Sequence, residues 1–588
     1  MKRFFFLPAF IFLAKILCGQ AFTKVTTGPL VNTPGDSRSV NWLDVNNDGL
    51  VDCMITNGLS GGQNNMLYIN AGAGNFTAVT GDPLVMDGKP SDGATWADTD
   101  NDGDLDCFVA NWYNINNLFY ANDGNGNFTQ LTSGNFVNDG GYSETASWGD
   151  FNADGQVDLY VCNSAGTKQN FLYKNLGANT FSKITTGAMV TDAFESRSVN
   201  WTDLDLDGDL DLFIANESNG HENIYRNDGA GAFTKITAGP LVNNAGNTMS
   251  GSWADFDNDG DLDVFLANDQ GSNLILQTNA LFRNEGNFNF TKLVADTVSK
   301  TPGTSFSSAW SDVDNDGDLD LFVTNAFKQN TKLVNYFYLN NGNGGFTRVN
   351  NALTADSSWT YGCAFADYDN DGFEDLAVAT CRFGGVDIND FLYHNNGNSN
   401  GWITIKLIGI SSNKAAIGTK IRLKATINGS SVWQLREVSA QSAYCSQNDL
   451  RVHFGLGNAT IIDSLKIEWP SGINQYSVSL SPNQFLSIVE SATLTTSIKN
   501  ESNRLGIKIF PNPSDRIFMI KNEEGFKPGD KIQIADIAGR VLTHLVIKES
   551  SSQYDLDFVK LGYSAGHYLL TIFSGSKSFT QKLILTHE

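Results

Sequence analysis

Through the first two thirds of the chain the apolar positions come in short runs separated by polar, glycine-rich turns. Leu118 to Ala121, the turn Asn122 to Asn127 and Phe128 to Leu131 read as a β-hairpin, and the same pattern returns as Asn223 to Arg226 and Ala232 to Ile236. Other short runs, such as Cys107 to Ala110 and Leu321 to Thr324, each follow an acidic turn. Runs of this length bounded by Gly, Asn and Asp are strands rather than helices. Each unit of the pattern supplies four of them.

The units repeat. The nonapeptide D-x-[DN]-x-D-G-x-x-D starts at Asp44, Asp98, Asp150, Asp203, Asp255, Asp312 and Asp367, at spacings of 54, 52, 53, 52, 57 and 55 residues. Two residues before each start stands an aromatic: Trp42, Trp96, Trp148, Trp201, Trp253, Trp310 or Phe365. A four-stranded unit cannot bury both of its faces alone, and seven of them predict a closed, seven-bladed β-propeller. The ends of the array support closure. Ala21 to Thr27 (AFTKVTT) matches the fourth-strand segment Ala232 to Thr237 (AFTKIT) but precedes any first strand, whereas the seventh repeat has Phe391 to His394 and departs from the pattern at Trp402. The N-terminal strand is therefore predicted to complete the last blade and remove an exposed edge.

The nonapeptides are also an oxygen cage. Positions 1, 3, 5 and 9 are Asp44, Asn46, Asp48 and Asp52; Asp98, Asp100, Asp102 and Asp106; Asp150, Asn152, Asp154 and Asp158; Asp203, Asp205, Asp207 and Asp211; Asp255, Asp257, Asp259 and Asp263; Asp312, Asp314, Asp316 and Asp320; and Asp367, Asp369, Asp371 and Asp375. Position 7 can add a backbone carbonyl, and Gly at position 6 permits a sharp turn. Carboxylates this crowded repel, so the pattern predicts about seven calcium ions, loops one and three being the weaker candidates because position 3 is Asn. An EF-hand is excluded because its position-12 Glu is replaced by Ile55, Val109, Val161, Ile214, Leu266, Val323 and Val378. Magnesium suits a cage rich in protein oxygens less well, and zinc lacks His or Cys ligands. The bland alternative is a solvated acidic turn.

Composition sharpens this. Among 588 residues, 39 Lys and Arg stand against 64 Asp and Glu, a formal charge of −25, which disfavours nucleic acid and anionic lipid as partners. Removing the 26 cage carboxylates takes the charge to +1, so the acidity belongs almost wholly to the loops. Residues 1–21 run from Met1, Lys2 and Arg3 through an apolar stretch to Gly19, Gln20 and Ala21 and predict a signal peptide; no other segment is long and apolar enough to span a membrane. The remaining Cys are too sparse for a disulfide framework, though Cys363 and Cys381 flank one hairpin and could bridge.

The repeated loops with their Trp and Gly-rich turns resemble the FG-GAP, or VCBS, repeats of integrin-like seven-bladed propellers over residues 22–398, a resemblance that implies structural calcium. Beyond it, Ala416 to Lys420, Ser446-Gln447, His453 to Gly457 and Trp469 to Gly472 resemble the ASPIC/UnbV domain, taken as 399–490; the combination is similar to the cartilage acidic protein family without its Cys-rich module. After a polar linker at 491–505, the segments Ile509 to Pro513, Ile534 to Val541 and Gly566 to Leu570 resemble the type A sorting domain of the type IX secretion system over 506–588. That implies a Bacteroidota-like source, export to the surface or medium, contact with the secretion machinery, and removal of the tail. The fold class is all-β, a seven-bladed propeller followed by two small β-sandwich-like domains. His221, His394, His453, His544, His567 and His587 are scattered and form no catalytic constellation; His453, alone beside a strand, reads as a packed residue. The leading function is adhesion or recognition of an extracellular protein or glycan, with no catalytic residues and calcium as the cofactor. The alternatives are a calcium-assisted polysaccharide lyase or hydrolase and a structural surface or matrix component.

Overall fold

The computed structural model describes residues 21–271, 274–342, 344–491, 507–510, 514, 516–536, 541–564, 566–574 and 577–586. The predicted leader up to residue 20 and most of the predicted linker lie outside them. Among the described residues no helix is long and apolar enough to cross a membrane.

Seven four-stranded antiparallel sheets form the blades. Blade two is representative: Ser91–Ala97, Asp106–Asn111, Leu118–Asn122 and Phe128–Leu131, with the acidic nonapeptide as the turn between its first and second strands. Its first and second strands are buried throughout, because the blade is covered on both faces by its neighbours. The aromatic before each loop is the wedge between blades. Trp42, Trp96 and Trp148 are completely buried; Trp148 Nε1 donates to the Thr95 carbonyl of blade two at 3.3 Å, and Trp42 Nε1 donates to the Ala364 carbonyl of blade seven at 3.1 Å. That last bond joins the first blade to the last.

Closure also runs through the N-terminus. Phe22–Lys24 is the fourth strand of blade seven, pairing antiparallel with Phe391–Asn395 in the register Phe22↔Asn395 and Lys24↔Tyr393. Phe22 is buried edge-on against Phe337, and Lys24 reaches Asp356 at 2.8 Å.

Residues after the last blade form a two-sheet unit. Gly401–Ile408 lies between Val452–Gly457 and the parallel strand Gln484–Val489, and Lys420–Ile427 lies between Ser430–Glu437 and Ile462–Glu468, with Asn474–Leu480 outside. Its apolar core is continuous with blades two and three through residues such as Ala97, Trp148, Ile421 and Trp469. Between its sheets the segment 438–449 leaves the domain and enters the channel lined by the first strands. There Gln447 exchanges backbone bonds with Val40 and Trp42, both at 3.1 Å, its side chain bridges Trp96 N and O, and Tyr444 N donates to Ser307 Oγ. The backbone must come close: a Cβ at Gly362 would collide with Ser446 and with the Arg38 carbonyl.

The C-terminal residues make a separate compact unit of two sheets. Ile507–Phe510, Ile517–Phe526 and Ser551–Asp557 face Val541–Val546, Lys531–Asp536, Gly566–Ser574 and Lys577–Leu585 across a core containing Phe518, Ile532, Phe558 and Leu570.

Candidate metal centres

The acidic loops share one hydrogen-bond plan. The position-1 carboxylate accepts from the backbone N–H of position 5 with one oxygen and of position 6 with the other: Asp98 takes Asp102 N at 3.0 Å and Gly103 N at 2.8 Å, and Asp367 takes Asp371 N at 3.0 Å and Gly372 N at 2.8 Å. The same two bonds recur in the other five loops. The Gly at position 6 has φ between 83° and 109°, a region where a side chain is strained. Position 4, which the sequence pattern leaves open, is also left-handed in all seven loops, with φ from 54° to 62°; it is Asn at 47, 101, 258, 315 and 370, the residue that tolerates this conformation best after Gly. Four of these Asn also stitch blades together, as when Asn315 Nδ2 donates to the Gly372 carbonyl at 2.9 Å.

The position-9 carboxylate fastens the third strand. Asp106 Oδ1 accepts from Asn122 N at 2.9 Å, and the matching bonds join Asp52 to Asn70, Asp158 to Asn175, Asp211 to Asn227, Asp263 to Asn284, Asp320 to Asn340 and Asp375 to Asn395. Each of these Asn side chains then donates across to the preceding blade: Asn122 to the Val45 carbonyl at 2.8 Å, Asn340 to Phe256 at 2.6 Å, and Asn70 of blade one to Tyr368 of blade seven at 2.7 Å. The seven Asn thus form a latch around the ring. The repeated aromatic-x-Asn ending of the third strand (Tyr68 to Asn70, Tyr120 to Asn122, Tyr393 to Asn395) is the sequence signal that could have revealed it.

Position 3 behaves differently. In the five loops where it is Asp, namely Asp100, Asp205, Asp257, Asp314 and Asp369, the Oδ1 atom is buried and accepts no hydrogen bond, whereas the position-1 oxygens of the same loops are all bonded. A buried anionic oxygen without a donor is costly, and a cation or a proton would satisfy it. Ligand atoms of Asp98, Asp100 and Asp102, of Asp203, Asp205 and Asp211, of Asp255, Asp257 and Asp259, and of Asp312, Asp314 and Asp316 lie within 4.8 Å of one another. Where position 3 is Asn, the amide bonds locally: Asn46 Nδ2 donates to Asp48 at 3.1 Å, and Asn152 Nδ2 donates to Asp158 at 2.7 Å while Lys174 lies 3.2 Å from Asp154. Burial is the main reason the cages resist ionisation, pushing Asp98, Asp106 and Asp255 up to about 7 and Asp211 and Asp367 to about 8.

Four loops take a cationic or nitrogenous side chain that the pattern did not anticipate: besides Lys174 at loop three, Lys406 lies 3.7 Å from Asp44 of loop one, and loops seven and four take His394 and Lys420. His394 Nδ1 lies 3.1 Å from Asp375 and 3.6 Å from Asp369, and its hydrogen bond to Asp375 raises its pKa to about 9. Lys420 of the second domain makes an ion pair with Asp203. The rest of that domain lies on the same end of the propeller: Lys414 N donates to Asn101, Arg422 to the Gly260 carbonyl, and Arg451 to Asn370 and the Asp367 carbonyl. His453 bonds Thr404 and Asn315, and burial lowers its pKa to about 3, in keeping with a packed residue rather than an acid–base group. Cys363 and Cys381 do not bridge. Both are buried free thiols, because Cys363 pairs across the sheet with Val378 while Cys381 lies beyond the end of that strand.

The opposite end carries the loops between second and third strands. Trp112 packs edge-on to Tyr113 and Tyr142, and Phe327 packs against Trp359 and Phe383. Tyr113 is 43% exposed, and Trp112, Phe327 and Phe383 are half-buried.

The model for FG-GAP-like repeats matches six overlapping windows from residue 44 to residue 378, over half of the chain. The chain belongs to the FG-GAP-like repeat family. The ASPIC and UnbV model matches residues 409–495, and the secretion system C-terminal sorting domain matches 508–586. This sorting domain assigns the FG-GAP chain to type IX secretion, at the cell surface or released. Cartilage acidic protein 1 of Mus musculus is 28% identical over 48% of this chain and 42% of its own length; that of Homo sapiens is 27% identical over 45% and 39%. The chain therefore spans about two-fifths of the curated relatives it matches. Among solved structures, an Agrocybe aegerita lectin that recognises non-reducing terminal N-acetylglucosamine overlays with TM-score 0.40 and 17% identity over 61% of this chain and 94% of the lectin. The Dos1 propeller overlays with TM-score 0.30 and 12% identity over 62% of this chain and 94% of its own.

Proposed function

We propose that the chain is a secreted, calcium-stabilised propeller that recognises an extracellular protein or glycan through the end opposite its acidic loops. The observation that carries this reading is the inequality of the two ends. The acidic-loop end repeats nearly the same turn seven times and lies under the second domain, through Lys414, Lys420, Arg422 and Arg451. The other end has loops that differ from blade to blade and bear partly exposed aromatics, the arrangement in which a rigid scaffold presents a binding surface.

The donor set of the cages fits calcium. In loops two, four, five and six the grouped ligand atoms are carboxylate oxygens, and the partnerless position-3 oxygen would be satisfied by the ion. Positions 1, 3, 5 and 9 would hold it with the position-7 carbonyl; the ion would supply charge neutralisation at the turn that begins each blade. Loop seven, with His394 against Asp369 and Asp375, departs from an all-oxygen set.

The test is a protein and glycan binding array run with calcium and with chelator, followed by a combined Trp112, Tyr113, Phe327 and Phe383 to Ala variant. The variant should keep its bound calcium and melting temperature and lose the ligand. Binding that survives in this variant but disappears in variants of the acidic-loop end would place the partner on the wrong surface.

A further inference from the structure

The first strands share an aromatic at their sixth residue and differ most in chemical kind at their second. Each begins with Ser or Thr at 37, 91, 143, 196, 248, 305 or 360, and the next residue is in turn Arg38, Asp92, Glu144, Arg197, Met249, Phe306 and Tyr361. At that second position the pairing with the neighbouring strand slips in all seven blades, as between Ser37 and Ser39 or between Ser91 and Gly93. A bulge of this kind re-aims a side chain, and here the re-aimed side chains meet around the channel axis. Arg38 Nε is 3.8 Å from Asp92, Arg197 pairs with Glu144, Phe306 packs on Tyr361 at 4.9 Å, and the Arg38 guanidinium lies 4.8 Å over the Tyr361 ring. Tyr444 at the tip of the inserted segment closes the bottom of this cup, its hydroxyl donating to Glu144 at 3.0 Å.

The cup is open. A cavity of about 130 Å³ lies among Arg38, Asp92, Glu144, Arg197 and Tyr361, and its mouth is bounded by Trp112 and Tyr113. Gly58 leaves room at the wall, since a Cβ there would collide with the Arg38 side chain. The polar groups are unequally used. Arg197 is held by Glu144 and Glu217, and Glu144 also takes Ser164 and Tyr444. Arg38 Nε, by contrast, is buried without a hydrogen-bond partner, and so is the indole N–H of neighbouring Trp359.

We infer that this cup binds the terminal residue of a neutral glycan, an inference that rests on the recognition reading above and names its site and ligand class. The Arg38 and Arg197 guanidiniums beside the Asp92 acceptor, all on the cavity wall, suit adjacent hydroxyls, which both donate and accept. At the rim, half-buried Trp112 and the more exposed Tyr113 offer aromatic surface to the apolar face of a pyranose ring. Charge favours a neutral sugar: on the cavity wall the two guanidiniums are matched by Asp92 and Glu144, and Asp36 and Glu217 behind them pair with the same two arginines, so a uronate or phosphate meets no unpaired cation. One inward-turned residue of varying chemistry per blade is also an economical way to set specificity on a seven-fold scaffold.

The test uses the mature full-length protein in calcium buffer against arrayed neutral hexose and N-acetylhexosamine trisaccharides, matching uronate trisaccharides and a heptapeptide library. Neutral trisaccharides should bind, and Arg38→Lys and Asp92→Asn should each weaken binding about tenfold or more, because Lys cannot reproduce the planar fork and Asn loses an acceptor. In case these buried positions perturb folding, a photo-reactive derivative of the best trisaccharide on the unaltered protein should label Trp112, Tyr113 or Tyr361. Failure of every neutral trisaccharide to bind, preference for uronates or peptides, or labelling elsewhere overturns the inference. Loss of binding in the four-aromatic variant with labelling outside the cup would overturn the cup alone and leave the variable end standing. Binding indifferent to both sets of changes would overturn both.

Discussion

Replacing Asp257 by Asn should change the stability of the protein in opposite directions with and without calcium. Asp257 Oδ1 is buried and accepts no hydrogen bond, and its carboxylate sits with Asp255 and Asp259 within 4.8 Å. Asn keeps the shape and removes the charge. If loop five binds calcium, a free concentration a hundredfold above the Kd stabilises the folded state by about 2.7 kcal/mol. Losing that ion should lower the melting temperature by about 5 °C, taking about 2 °C per kcal/mol for a large domain. In chelator the sign reverses. Burial and then repulsion from Asp259 raise the Asp257 pKa, so the charged form is disfavoured in the fold and the neutral amide should be at least as stable. Calorimetry of both proteins in calcium and in chelator, with metal analysis showing one ion fewer in the variant, measures both signs. A variant equally destabilised under the two conditions would refute the cage and return the loop to an ordinary acidic turn. Asn46→Ala provides the contrast: its amide bonds only within its own exposed loop, and the cost should stay within about 1 kcal/mol.

Three further outcomes are expected. In chelator, stability should fall as pH rises through about 6 to 8, because Asp150, Asp98, Asp106 and Asp211 have raised values there and the folded state holds more protons than the unfolded one; saturating calcium should reverse the slope, and a flat metal-free profile by thermal melting would count against buried, repelling cages. Removing residues through Thr27 from the mature chain should cost about 2 kcal/mol or more from the burial of Phe22 alone and expose Phe391–Asn395 as an edge, so melting should drop and size-exclusion should show association; unchanged behaviour would refute closure through this strand. Asn340→Ala should cost about 3 kcal/mol by chemical denaturation, since it strips the Phe256 and Leu319 carbonyls of their donor without touching a cage carboxylate; a loss below about 1 kcal/mol would mean that the inter-blade latch is ornamental.

The seven units, their four strands and the N-terminal closing strand were legible because each is written by local pattern: alternation, Gly at a forced left-handed position and a recurring nonapeptide. The shared geometry of the acidic turns was legible for the same reason, and the sequence also marked loops one and three as different, where Asn46 and Asn152 bond locally while the Asp of five other loops leaves an oxygen without a donor. What escaped involves contacts between distant segments. His394 and Lys420 enter loops seven and four from positions 19 and 217 residues away from their carboxylate partners. Strand Gln484–Val489 pairs in parallel with Gly401–Ile408 and alternates half-buried with exposed positions, so its own pattern carries no core signal. The entry of 438–449 into the channel depends on bare backbone at Gly362 in another blade, which no reading of 438–449 alone could supply.

The position of the second domain links the two ends of the propeller. Its strands lie on the acidic loops, and its inserted segment reaches through the channel to Tyr444, which hydrogen-bonds Glu144 and stacks near Tyr361 in the cup on the other side. The loops that would hold calcium therefore fix the domain whose segment forms the floor of the proposed ligand site. Arg451 spans this connection directly, donating to Asn370 and the Asp367 carbonyl in loop seven while Asn448, three residues before it, accepts from Phe365 N inside the channel. Calcium loss would disturb the anchor and the blades together, because the bonds from Lys414, Arg422 and Arg451 end on loop atoms and the latch Asn also donate to loop carbonyls, Asn70 to Tyr368 and Asn395 to Val313. Ligand affinity at the variable end should then fall together with the melting temperature as chelator strips the loops, even though no calcium cage lies at that end.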